Sequence, residues 1–294
     1  MTHPDVPVEQ AAALARRMAP ELCRKDPESG EDCSWYHGLW LDLRAAGLAA
    51  TAQYQAGFFL DAFGRMQSLG RPMRLLISGS ADYSILAQIL WACQARGVEA
   101  AATVLDRCET PLFINRWYAG QVGCRIETAR ADVTDYSPDV LFDVVCGHGF
   151  LGQVPPEARA MVVASWTRLL APGGAILAIN RVRPPGCAPV IRFGDAEGAE
   201  FCRLAQQRFR ERRLVPESEL DGVIERTRLY VRRLQGYAIT EAEFEQPFRD
   251  AGLRIEIAAA VTSGDARNSG LTGPAIPAES RHLCVMARNT AGAD

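Results

Sequence analysis

The sequence carries a single lysine, Lys25, and only four histidines, at 3, 37, 148 and 282. No two of these histidines stand at ligand spacing. The nine cysteines (23, 33, 93, 108, 124, 146, 187, 202 and 284) include no C-x-x-C pair. Spacing therefore argues against a zinc site, and no metal is expected. The first residues, MTHPDVPVEQ, show neither the basic start nor the apolar stretch of a secretion signal. With an odd cysteine count, that favours reduced thiols and a cytoplasmic setting, most of the cysteines acting as small core residues. No apolar run approaches the roughly 18 residues of a membrane helix, so no membrane partner is expected. A charge excess is missing as well: 32 Lys+Arg against 35 Asp+Glu leave −3, which speaks against nucleic acid. Phosphate-binding loops, nucleophile elbows and internal repeats are all absent.

What is present is an alternation. The 294 residues, 48% of them hydrophobic, suffice for one enlarged domain or two modest ones. Residues 8–23 read as a helix, and 34–69 as helical and aromatic. Within WYHGLWLDL, the residues Tyr36, Leu39, Trp40 and Leu43 share one helical face. After Gly70-Arg71-Pro72 come short apolar runs, MRLLIS, AAATVLD, RIETARAD, FDVVCGHGFL and AILAINRV, separated by helical segments. Such a series builds a doubly wound, mostly parallel α/β sheet with right-handed crossovers. Two Arg-rich helices, about 196–213 and 217–235, interrupt it. Thr240 and Glu243 then open a further helix with a capping-box signature. The expected organisation is an N-terminal helical cap (1–70), then a sheet domain (71–294) with a helical insertion at about 187–238.

In a doubly wound sheet, ligands sit outside the C-terminal strand ends, where strand order reverses. The segments there are LISGSADYS (76–84), LDRCE (105–109), RADVTD (130–135), CGHGFLGQ (146–153) and APGGAILAINRVRP (171–184). In order and spacing they resemble the class I S-adenosylmethionine-dependent methyltransferases, over about residues 72–290. The resemblance implies a Rossmann-like seven-stranded sheet with its last strand antiparallel. It implies S-adenosylmethionine as cofactor and S-adenosylhomocysteine as product. Gly79 matches the first glycine of the family's turn, with Ser80, Ala81 and Asp82 following. Asp106 matches the acid that binds the ribose hydroxyls, with Arg107 beside it. Asp132 and Val133 fall at the adenine contact, while His148 and Phe150 end the strand facing the sulfonium. The sequence departs from the pattern at Ile77, where an acid is usual, and at Ala81 and Tyr83, where later glycines are usual. Asp82 either replaces the missing acid at the cofactor ammonium or caps the following helix.

The acceptor side would come from the N-terminal helices. Tyr36, Trp40, Tyr54, Phe58 and Phe59 are candidates for an aromatic wall around a sulfonium, or for packing between helices. His148 is the leading general-base candidate, with His37 and Tyr36 behind it. Asn180 and Arg181 belong to the pocket rim, where Arg181 suits a substrate carboxylate. The resemblance implies methylation of an oxygen, nitrogen or carbon of a small molecule, in specialised biosynthesis, by a monomer or homodimer. Two alternatives stay open. One is closure of the cofactor's own aminobutyrate arm to azetidine-2-carboxylate with release of methylthioadenosine. The other is a non-catalytic cofactor-binding or partner subunit.

Overall fold

The computed structural model describes residues 8–25, 30–49, 55–66, 69–261, 274 and 280–290. Four helices come first: α1 (Val8–Leu22), α2 (Ser34–His37), α3 (Trp40–Ala45) and α4 (Ala56–Gly64). The alternating part follows as β1 (Met73–Ser78), α5 (Ser84–Ala95), β2 (Ala100–Asp106), α6 (Glu109–Gln121) and β3 (Ile126–Arg130). It continues through β4 (Phe142–His148), α7 (Pro156–Arg168) and β5 (Leu170–Val182). Then come β6 (Val190–Ile191), α8 (Asp195–Glu211), α9 (Glu217–Arg233) and β7 (Gly236–Tyr237). The chain closes with α10 (Glu241–Asp250), β8 (Arg254–Val261) and β9 (Arg281–Arg288).

The seven-stranded sheet has the order β3-β2-β1-β4-β5-β9-β8. Neighbours from β3 to β5 pair in parallel, while β9 lies antiparallel between β5 and β8. The expected sheet is therefore observed, including its antiparallel last strand. Strand order reverses between β1 and β4, which opens a cleft at the C-terminal ends of those two strands.

Strand alternation decides which core each residue enters. In β1, Leu75 and Ile77 face a core shared with α1, α4, α5 and α6, while Leu76 joins Val145, Ile176 and Trp166 on the other face. A third core ties Leu39, Leu43 and Leu48 to Phe201, Phe209, Val223 and Tyr230. Two segments about 160 residues apart thus make one apolar unit over the cleft.

Two local expectations differ from the structure. The stretch 34–69 is not one helix: Gly38 separates α2 from α3, and Gly47, at φ +68°, follows the end of α3. Ala171-Pro172-Gly173-Gly174 lies inside β5 as a bulge, not before it, because pairing with β4 jumps from Phe142↔Leu170 to Val144↔Ala175. The Arg-rich helices are only partly a solvated face. Arg203–Glu200 and Arg228–Glu225 are exposed pairs, but Arg208 donates to the carbonyls of Ala46 and Gly47, and Arg212 to that of Ala45. Those arginines satisfy the carbonyl end of α3.

Gly147 in β4 meets the face of Trp166 so closely that a Cβ there would lie 2.4 Å from the ring. Trp166 cannot retreat easily, since its indole N–H donates to Ser78 Oγ at 2.9 Å and the residue is fully buried. Gly147→Ala is expected to destabilise the fold by about 1–3 kcal/mol through overpacking, read as a lower urea midpoint with unchanged m-value.

Candidate functional site

A cavity of about 440 Å³ occupies the C-terminal ends of β1, β2, β4 and β5. Its floor holds Gly79, Ser80, Ala81, Asp82 and Asp106, and its back wall His148, Phe150, Asn180 and Arg181. Tyr36, His37 and Trp40 cover it. Twelve residues singled out from the sequence therefore converge on one space.

The turn after β1 is shaped by Gly79, at φ +73°, a region that residues with a Cβ avoid. A Cβ there would also lie 2.3 Å from the Phe150 ring, so only glycine admits that ring. Directly beyond, Asp106 accepts from the backbone N–H of Ser80 at 3.0 Å and of Cys108 at 2.8 Å. Burial raises its pKa, opposed by those two N–H groups. The carboxylate is thus held between two turns at the mouth of the sheet.

Asp82 meets the start of the following helix, as one of the two roles weighed for it requires, and does more. It is 2% exposed, and Oδ1 accepts from the Ser84 N–H at 2.6 Å, an interaction at the start of α5. Oδ2 accepts from the Trp40 indole and from Arg44 Nη1, each at 2.8 Å. Burial alone would raise this carboxyl, but the Arg44 charge and the Ser84 hydrogen bond hold it below the usual carboxylate range. Both oxygens are occupied by the chain itself. Asp82 is a clasp between the sheet and its cover.

The cover is aromatic. Tyr36 stacks on Trp40 at 5.4 Å between centroids and on Tyr230 of α9 at 6.2 Å. Tyr230 was not singled out from the sequence, although its spacing from Val223 and Thr227 marks the inward face of α9. Gln153, Arg183, Tyr237 and His282 also line the cavity and were likewise missed. His282 lies opposite Arg181 in the β5–β9 pairing, a neighbour relation that spacing along the chain does not reveal.

Five singled-out residues lie elsewhere. Phe58, 6% exposed, and Phe59 pack on each other in the core beneath α1, because the apolar face of α4 turns inward. Asp132 accepts from the Thr134 N–H and hydroxyl and pairs with the exposed Arg107 at 3.5 Å, as a turn former does. Val133 is buried in the second core. None of these five lines the cavity. Tyr54 lies outside the described residues.

The back wall is electrostatically unusual. Burial lowers His148 to about 4, with Asp82 opposing and Arg181 adding to the fall, and His282 drops to about 3 for similar reasons. His148 is thus neutral at pH 7, and its Nε2 has no hydrogen-bond partner among the described residues. Burial also lowers Arg181, whose guanidinium makes no ion pair among the described residues. A cation without a counterion among the described residues and a neutral imidazole acceptor suit an anionic ligand that carries a donor group.

The pH consequence has a definite sign. Between about 4 and 6.5 the unfolded chain protonates His148 and the folded one does not, so stability rises with pH across that window and is complete above it. His148→Gln is expected to flatten the rise of the unfolding free energy with pH between 4 and 6.5, by up to about 3 kcal/mol across that window, read from urea melts at each pH. An unchanged slope would mean that the ring takes up its proton over the same pH range in the folded protein as in the unfolded chain.

No family model matches the chain, and no curated protein matches its sequence. Solved structures do. One is an O-methyltransferase family protein from Burkholderia thailandensis, at 15% identity and TM-score 0.50 over 87% of this chain, which spans 60% of that protein's length. Another is the 1,6-didemethyltoxoflavin-N1-methyltransferase of the same organism, solved with 1,6-didemethyltoxoflavin and S-adenosylhomocysteine, at 18% identity and TM-score 0.52 over 99% of this chain and 93% of that one. No helix among the described residues is long and apolar enough to cross a membrane. By strand order, by the antiparallel last strand and by these likenesses, the chain has the Rossmann-like fold of the class I S-adenosylmethionine-dependent methyltransferases.

Proposed function

We propose that this chain is an S-adenosylmethionine-dependent methyltransferase acting on a small anionic molecule. The observation that carries the reading is the placement of Asp106. A half-buried carboxylate, fixed by two backbone N–H groups at the end of β2, opens into the same cavity as Arg181, which has no ion-pair partner among the described residues, and the aromatic cover. That carboxylate suits the two vicinal hydroxyls of a ribose, since each oxygen has a further lone pair to offer. Bound at this site, the cofactor would supply an electrophilic methyl group on a positively charged sulfur.

The chain's own residues supply the rest. Tyr36 and Trp40 line the cavity, and a cation against an aromatic ring gains about 0.5–2 kcal/mol, more when water is excluded. Arg181 holds a carboxylate or phenolate of the acceptor, an attraction of the same strength before and during methyl transfer. His148 stays neutral and offers Nε2 to the nucleophile's O–H or N–H. At a pKa of about 4 the ring orients that group by accepting its hydrogen bond and is too weak a base to remove the proton before attack. Acceptors that are already nucleophilic at neutral pH fit this wall best.

Asp106→Ala is expected to weaken S-adenosylmethionine binding by about 1.5–3 kcal/mol in calorimetry, with the far-ultraviolet circular dichroism unchanged. Unchanged affinity in a folded variant would remove the ribose assignment. Incubation with S-adenosylmethionine alone is expected to leave it intact, and S-adenosylhomocysteine should form only when an acceptor is added. Release of methylthioadenosine without an acceptor would replace methyl transfer by azetidine ring closure.

Arg181→Gln should raise KM for an anionic acceptor tenfold or more while kcat changes far less, the pattern for a group that binds ground and transition states alike. A fall in kcat at constant KM would assign Arg181 to the chemical step instead.

A further inference from the structure

Three cysteines from distant parts of the chain meet a histidine where the cover joins the turn between β2 and α6. Cys23 follows α1, Cys33 precedes α2, His37 closes α2, and Cys108 immediately precedes α6. Cys108 Sγ lies 3.6 Å from Cys33 Sγ and 3.7 Å from Cys23 Sγ, and Cys23 Sγ lies 3.5 Å from His37 Nδ1. All four donor atoms lie within 4.8 Å of one another. A tetrahedron with Zn–S of about 2.3 Å and Zn–N of about 2.0–2.1 Å has S···S edges of about 3.8 Å and S···N edges of about 3.6 Å. The three separations match those edges within about 0.2 Å, whereas a disulfide would need sulfurs at about 2.05 Å.

We infer that Cys23, Cys33, His37 and Cys108 form a structural zinc site that fastens the cover to the cofactor-side turn. Four protein donors close a tetrahedral shell and leave no position for water or substrate, the mark of a structural site. Three sulfurs and an imidazole nitrogen select zinc over the hard cations that need oxygen ligands. The surroundings are built for thiolates. Cys108 stands at the N-terminus of α6, where unpaired N–H groups favour negative charge. Thr110, 1% exposed, places its hydroxyl 3.2 Å from Cys23 Sγ and donates to the deprotonated sulfur. Lys25 and Asp32 pair as an isolated antiparallel bridge, which sets the Cys23 and Cys33 segments side by side.

The site has a consequence for the cavity. Cys108 donates its backbone N–H to Asp106, so the metal would hold the turn that presents this carboxylate. Coordination through Nδ1 takes His37 out of the set of general bases. It holds α2, and with it Tyr36, over the cavity. This inference does not rest on methyl transfer; any ligand of the cavity would meet the same fastening.

The test is metal analysis of the whole protein purified without chelator. Inductively coupled plasma mass spectrometry is expected to find one zinc per chain. Native mass spectrometry should show that metal lost only on denaturation or prolonged chelation. Alkylation mapped by mass spectrometry should spare Cys23, Cys33 and Cys108 in the zinc-loaded protein and modify all three after chelation. Cobalt exchanged into the site should give the intense visible bands of a tetrahedral thiolate complex, weakened in Cys33→Ser. Alkylation of wild-type protein covers the case in which that variant does not fold. Absence of zinc after reconstitution with equal alkylation in both states, or isolation of a disulfide among these cysteines, would overturn the site.

Discussion

The carboxylate of Asp82 is the point through which the cover and the sheet are joined. It lies in the turn after β1, out of water, and would be costly there without partners. Arg44 and the Trp40 indole supply those partners from α3, and the Ser84 N–H supplies one from α5. Breaking a buried pair of this kind leaves an uncompensated charge and typically costs about 3–5 kcal/mol. The family to which this sequence bears a resemblance uses an acid in this region for the cofactor. Here the cover provides the cation.

Once α3 is clasped, the rest of the cover follows. Tyr36, Trp40 and Tyr230 form a stack that reaches from α2 to α9, and Phe201 continues it into α8. The arginines of α8 then cap the end of α3. The cover is therefore a composite of the N-terminal helices and the insertion, which share one apolar core. The cluster of Cys23, Cys33, His37 and Cys108 lies against the β2–α6 turn. With Asp82 it gives the cover two attachments to the strand ends.

Enclosure changes the chemistry of the back wall. His148, His282 and Arg181 all titrate below their ordinary values, first because burial takes them out of water; Arg181 adds to the fall of both histidines, and Arg183 to that of Arg181. A back wall with this balance attracts negative charge through Arg181, while His148 and His282 stay neutral at pH 7. The same enclosure strengthens every hydrogen bond and ion contact made inside it.

The sheet was legible in the sequence because its information is local. Apolar runs such as MRLLIS and FDVVCG, each bounded by turn residues, have no stable alternative to buried strands, and the helices between them force parallel pairing. Gly79, Asp106 and His148 could be placed for the same reason: each ends such a run. The bulge in β5 and the division of 34–69 were less legible, since a glycine marks a break without saying on which side of it pairing resumes. The relations across the cavity were not legible at all. Nothing along the chain says that Asp82 meets Arg44, that Arg181 faces His282, or that Cys108 lies beside Cys23 and Cys33. Those pairings join residues 38 to 101 positions apart, and they exist only because the sheet fixes its strand ends and the cover can settle over them in one way. Local pattern chose the strands and helices; the packing of the cover on the strand ends chose the site.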